Sequence, residues 1–145
     1  MYALLYRSRA RPGLLADGLN DIIETARARN ASLSVTGLLL HGRMEALPGV
    51  PGEFVQWIEG PEEAVESLFA AIEQDGRHAG VEVLGRGDLA RSEAALRSGV
   101  EPDDEGRLFP AWSMGLVRLA ELPATLGGFL RFATEWNGDG LAVAA

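Results

Sequence analysis

The sequence predicts an α+β fold, a ferredoxin-like βαββαββ sandwich with an additional C-terminal helix. Three observations point there. Segments with a two-residue apolar period alternate with segments of helical period in the order βαββαββα. The 145 residues are 47% apolar and 23% charged, the balance of a globular domain with room for one core. No internal repeat stands out beyond the βαβ doubling of such a fold. Residues 1–118 are expected to form the folded domain and residues 119–145 a helical extension.

In the first strand, Tyr2–Arg7, Tyr2, Leu4 and Tyr6 alternate with Ala3, Leu5 and Arg7. Arg11-Pro12-Gly13 breaks it, and Leu15, Leu19, Ile22, Ile23 and Ala26 then form the stripe of an amphipathic helix ending near Asn30. Val35–His41 is a second strand, and its unbroken Leu38-Leu39-Leu40 suggests a central position covered on both faces. Residues 42–53 carry three Gly and two Pro and read as a loop, so Phe54–Glu59 returns as an antiparallel third strand. Pro61 suits the first turn of a second helix, Glu62 and Glu63 suit its positive end, and Val65, Leu68, Phe69 and Ile72 form its stripe. Val81–Leu89 is a fourth strand and Ala111–Val117 a fifth. Between them, Arg91–Leu108 is polar and acidic and reads as a mobile loop with room for one helical turn. Leu122–Trp136 is the last helix, with Leu122, Leu126, Phe129, Leu130 and Ala133 on one side.

Composition narrows the chemistry. A net charge of −8 with scattered Arg opposes direct nucleic-acid binding, which needs a basic footprint. The chain has no Cys, excluding disulfides, thiolate nucleophiles and thiol adducts. All 13 basic residues are Arg, which excludes a Lys Schiff base and an ordinary P-loop. His41 and His78 alone leave little for a metal site. No apolar run reaches membrane-spanning length and the start does not read as a signal peptide, so a cytoplasmic protein off the membrane is expected.

Several polar residues interrupt apolar stripes. Gln56 shares a face with Phe54 and Ile58, where an amide without partners costs about 1–3 kcal/mol. Tyr6 shares a face with Tyr2 and Leu4, and its hydroxyl needs a partner. Neighbouring first and third strands in the middle of the sheet bring the two together on the helix-facing side. Each residue also has an ordinary explanation: Gln56 and Tyr6 as satisfied core groups, Asn30 as a helix C-cap, Arg77-His78 as a complement to a helix dipole, and Trp112 and Met114 as core.

Taken in order, Tyr6-Arg7-Ser8, Arg29-Asn30-Ala31, Thr36-Gly37-Leu38-Leu39, Phe54-Val55-Gln56-Trp57-Ile58-Glu59-Gly60, Asp75-Gly76-Arg77-His78 and Phe109-Pro110-Ala111-Trp112-Ser113-Met114 closely resemble the BLUF family, blue-light sensors using flavin. The resemblance runs from about Tyr2 to Leu116. It implies a non-enzymatic photoreceptor of the short, stand-alone type, holding FAD without covalent attachment, with FMN or riboflavin as alternatives. Ile22 and Ile72 would flank the ring, Leu39 would line its floor, and Asn30, Arg77 and His78 would close on its pyrimidine end. Gln56 would bond the N5 and C4 carbonyl region, Tyr6 would bond Gln56 in turn, and Ser8 would lie beside the pair. Light-driven transfer from Tyr6 would leave the amide rearranged and shift absorption to the red, with Trp112 and Met114 on the fifth strand responding. The signal would pass to an unidentified downstream protein, and a homo-oligomer is expected.

The chain departs from the usual compact pattern in two loops, residues 42–53 and 91–108. The first should leave the register of Gln56 intact; the second could bring acidic residues near the flavin nucleotide's phosphates. Two other readings stand beside the photoreceptor. One is a flavin-free interaction module of the same fold. The other is an acylphosphatase-type hydrolase using Arg11 and Asn30, although Arg11-Pro12-Gly13 does not resemble its anion-cradling loop.

Overall fold

The computed structural model describes residues 1–10, 33–44, 52–76, 78–136 and 142–144. Six strands form one sheet: β1 (Tyr2–Ala10), β2 (Thr36–Arg43), β3 (Glu53–Gly60), β4 (His78–Gly87), β5 (Ser113–Arg118) and β6 (Ala142–Ala144), in the spatial order β4-β1-β3-β2-β5-β6. All neighbours are antiparallel except β2 and β5, which run parallel. The α+β class and the central adjacency of β1 and β3 are as the sequence predicts. The expected first helix, with Ile22 and Asn30, lies outside the described residues, as does Arg77.

Alternation along β3 divides the core into two layers. Leu4, Tyr6 and Ile58 pack with Val65, Leu68, Phe69 and Ile72 of the Glu62–Gln74 helix. On the opposite face Leu5, Leu38, Leu40, Val55 and Trp57 pack with Phe109, Phe129 and Leu130. Trp57 stacks on Phe129 at 5.5 Å and 5°, and Phe109 meets both rings edge-on at 6.4 and 6.0 Å. Helices therefore cover both faces, whereas the sequence reading placed them on one. Val55 and Trp57 explain the difference, since strands apolar on both faces need cover on both.

Two boundaries also differ. Residues 91–108 are not one long loop: a short helix, Glu93–Ser98, is capped by Ser92, whose hydroxyl accepts from Ala95 N–H, and ends at Gly99 in the left-handed region (φ 80°). The last helix is Leu126–Glu135, starting four residues later than its apolar stripe suggests. Thr125 caps it, its hydroxyl accepting from Gly128 N–H at 3.0 Å. Close packing explains Gly37 of the Thr36-Gly37 pair. A Cβ there would sit 1.8 Å from the Trp57 carbonyl oxygen, so a side chain would push β2 off β3.

Candidate functional site

Strand register assembles the site. Tyr6 lies directly opposite Gln56, Gln56 opposite Leu39, and Leu39 opposite Met114, with Val83 beyond Tyr6. Cross-strand partners project to the same face, so these residues form one row across the sheet. Tyr6, Leu39, Gln56 and Met114 are all buried.

The Tyr6 hydroxyl donates to Gln56 Oε1 at 2.5 Å. Its ring leans on Phe69, with centroids 5.6 Å apart and planes tilted by 49°. Burial, and then the negative charge of Asp75, push the Tyr6 phenol far above its usual range, so it stays protonated. With Oε1 taken by the phenol, the amide nitrogen of Gln56 makes no hydrogen bond among the described residues. A donor with no partner among the described residues, beside a buried phenol, fits an acceptor edge of a planar ring.

Of the other expected site residues, Ser8 is buried two positions from Tyr6 on the same strand face, and Ile72 packs in the same cluster as Tyr6. Met114 is on the Gln56 row, and Trp112 is buried just ahead of β5. His78 opens β4 opposite Ala10 in the ladder, so the strand begins three residues earlier than its apolar run suggests. Ile22, Asn30 and Arg77 lie outside the described residues, as does Arg11. The expected acidic loop carries Glu101, Asp103, Asp104 and Glu105. The residues that follow its acidic run, Leu108 and Phe109, pack on the Trp57 side.

Two buried polar residues escaped the sequence reading. His41 stacks on Phe54 at 4.8 Å, and its Nδ1 has no partner among the described residues. Burial, and then Arg43, lower its pKa from 6.5 to about 4, so it is neutral. Glu59 is 1% exposed and accepts N–H bonds from Trp57 Nε1 at 2.6 Å, Leu108 at 2.6 Å and Phe109 at 3.2 Å. Burial raises its pKa to about 7, against the pull of those donors and of Arg107. The signal was available: alternation puts Glu59 on the same face as Val55 and Trp57. No group of acidic or His side chains among the described residues is arranged to hold a metal.

Comparison with known proteins agrees with the geometry. The family model "BLUF: Sensors of blue-light using FAD" matches residues 1–115. The photoactivated adenylate cyclase subunit beta of Euglena gracilis is 44% identical over 78 residues, 54% of this chain and 8% of that protein. The blue light- and temperature-regulated antirepressor BluF of Escherichia coli is 36% identical over 75 residues, 52% of this chain and 17% of that protein. The dark-state structure of BlrB, a BLUF protein, superposes with a TM-score of 0.52 at 35% identity, covering 90% of this chain and 82% of that one. The chain thus spans a small fraction of these curated relatives but most of the BlrB structure.

Proposed function

Since this chain belongs to the BLUF family, sensors of blue light using FAD, we propose that it is a photoreceptor switched by rearrangement of its own Tyr6–Gln56 hydrogen bond. Bound FAD supplies blue absorption and, once excited, a strong oxidant for a nearby donor. The residues that would hold it are Ser8, Ile22, Asn30, Leu39, Gln56, Ile72, Arg77 and His78. The uncommitted amide nitrogen of Gln56 supports that assignment.

Tyr6 is a neutral phenol whose proton already points at Gln56 Oε1. Losing an electron makes that phenol strongly acidic, and the amide oxygen at 2.5 Å is positioned to take the proton. When the electron and the proton both return to the phenoxyl, restoring phenol and ligand unchanged, the amide would either resume its arrangement or settle flipped or tautomerised. A flipped or tautomerised amide redistributes its donor and acceptor between the phenol and the ligand, and a donor turned to the C4 carbonyl would shift absorption to the red. Two arrangements of one buried side chain then constitute the switch, and the Leu39–Met114 contact line is the route by which β5 responds.

The BLUF unit is a sensor domain and not catalytic by itself. We extend this to a non-enzymatic protein in which residues 1–118 bind flavin and residues 119–145 are an extension sharing the Trp57 core through Phe129. Its output would pass to a downstream protein, and the chain would form a homo-oligomer. Among the described residues no helix is long and apolar enough to cross a membrane. We place the protein in the cytoplasm, acting neither on a membrane nor directly on nucleic acid.

The observation that carries the reading is the buried Tyr6–Gln56 bond. An absorption spectrum in darkness and after blue illumination tests it. Flavin bands that move to the red and relax in the dark are expected. Purified protein that neither carries flavin nor takes up added FAD would favour the interaction module.

A further inference from the structure

The Glu59 carboxylate lies three residues beyond Gln56 on β3, on the opposite face of the sheet, and is fully enclosed. All its bonds go to N–H groups: the Trp57 indole beside it, and the backbone of Leu108 and Phe109 from the segment that leads into β5. Arg107, next in that segment, does not pair directly with the carboxylate. Its guanidinium donates to Thr36 Oγ1 at 2.6 Å, the Ser34 carbonyl at 2.9 Å and the Glu59 carbonyl at 3.1 Å. Ser34 adopts φ 56°, in the left-handed region, where it offers its carbonyl to Arg107. Residues 107–109 are thus tied to the start of β2 and the end of β3 together. Trp112 and Met114 follow three and five residues after Phe109.

We propose that Glu59 is a positioning residue for the photocycle: its carboxylate fastens residues 108 and 109 to β3 and so sets where Trp112 and Met114 stand relative to Gln56. The inference rests on the photoreceptor reading above. It assigns a task to a group on the face away from the Tyr6–Gln56 pair. β3 carries both groups, and a strand hydrogen-bonded on both sides moves as a unit.

Protonation is the natural way to loosen this fastening. The carboxylate accepts all its N–H donors with two oxygens. The neutral acid converts one oxygen into a donor facing other donors. Arg107 is the charged group acting on Glu59, and Glu105 lies beyond it at 3.5 Å. Ala3 of β1 and Thr36 of β2 stand opposite Glu59 in the sheet, and apolar Phe129 backs Trp57. With burial raising its pKa to about 7, Glu59 changes charge near neutrality.

The test uses the full chain loaded with FAD. Dark recovery after a blue pulse is followed from about pH 6 to pH 8, and exchange of the Leu108 and Phe109 amides is followed in darkness over the same range. Wild type should recover about tenfold faster at the acid end, the factor carried by one weakened hydrogen bond to a charged group. The two amides should lose protection there after correction for intrinsic exchange. Glu59→Gln, of the same shape and unable to ionise, should recover fast at every pH. A wild-type recovery rate and amide protection that do not change with pH overturn the proposal, as does a pH profile retained in Glu59→Gln. The wild-type measurements decide even if the variant does not fold. A wild-type chain with no red shift at all defeats the photoreceptor reading and this proposal with it, a result distinct from a normal shift with an unaffected variant.

Discussion

β3 presents two buried polar groups to opposite faces, and they are satisfied to opposite degrees. Gln56 accepts one bond from Tyr6, and its amide nitrogen has no partner among the described residues. Glu59 has both carboxylate oxygens engaged by N–H donors. A group with spare capacity has two arrangements of similar energy; a saturated one has a single arrangement and resists leaving it. The contrast sets the proposed switch and the proposed fastening within four residues of one strand.

The comparison is broken most severely on the Trp57 side. Phe129→Ala should cost about 3–5 kcal/mol in chemical denaturation, since it empties the stack on Trp57. A loss under about 1 kcal/mol would mean that the C-terminal helix lies outside the cooperative core. Glu59→Ala comes next, at roughly 3 kcal/mol, because it strands buried N–H donors on Trp57, Leu108 and Phe109.

On the other face the stability effects shrink while the optical ones become complete. Gln56→Leu should cost roughly 1–2 kcal/mol, leaving the Tyr6 hydroxyl without its acceptor. It should still bind flavin but lose the red shift. Tyr6→Phe should cost about 1 kcal/mol or less and also abolish the shift. A full photocycle in either variant, read by difference spectroscopy, removes that residue from the mechanism.

A pH series sharpens the contrast with the smallest effects. Glu59 has its folded pKa raised from 4.5 to about 7, so its contribution to stability is present below 4.5 and lost as pH rises through 7. His41 has its folded pKa lowered from 6.5 to about 4, so its contribution is present above 6.5 and lost as pH falls through 4. The two slopes oppose each other between 4.5 and 6.5. Relative to wild type, Glu59→Gln should make the slope of stability with pH more positive in that window, and His41→Phe should make it more negative. Global stability and the local fastening respond oppositely to protonation of Glu59. Neutralising it relieves a buried charge while removing acceptors from Leu108 and Phe109.

The Tyr6–Gln56 pair was legible because it depends on little more than strand alternation and order. Tyr6 and Gln56 interrupt apolar stripes on adjacent strands, and antiparallel register then places them opposite each other. The Phe54–Gly60 run survived the long loop before it for the same reason: pairing with β1 and β2 holds it in register. What was missed depends on tertiary context. Leu122 continues a helical stripe, yet Pro123 and the Thr125 cap delay the helix. Ser92 and Gly99 do signal the Glu93–Ser98 helix, but the acidic run after it masked them. β6 has three small residues and no pattern of its own; the edge of β5 gives it a partner. Glu59 looked like the polar end of a strand until Leu108 and Phe109 closed over it.

The row from Tyr6 through Gln56 and Leu39 to Met114 runs perpendicular to the chain, crossing three strand spacings, about 14 Å. Cross-strand neighbours thus give a disturbance at the phenol a path to β5 that does not follow the chain. This crossbeam arrangement explains how the protein tolerates an enlarged hairpin and a lengthened acidic excursion. Both are spliced in at strand ends, where they add length to the peptide and nothing to the span that the message has to cross.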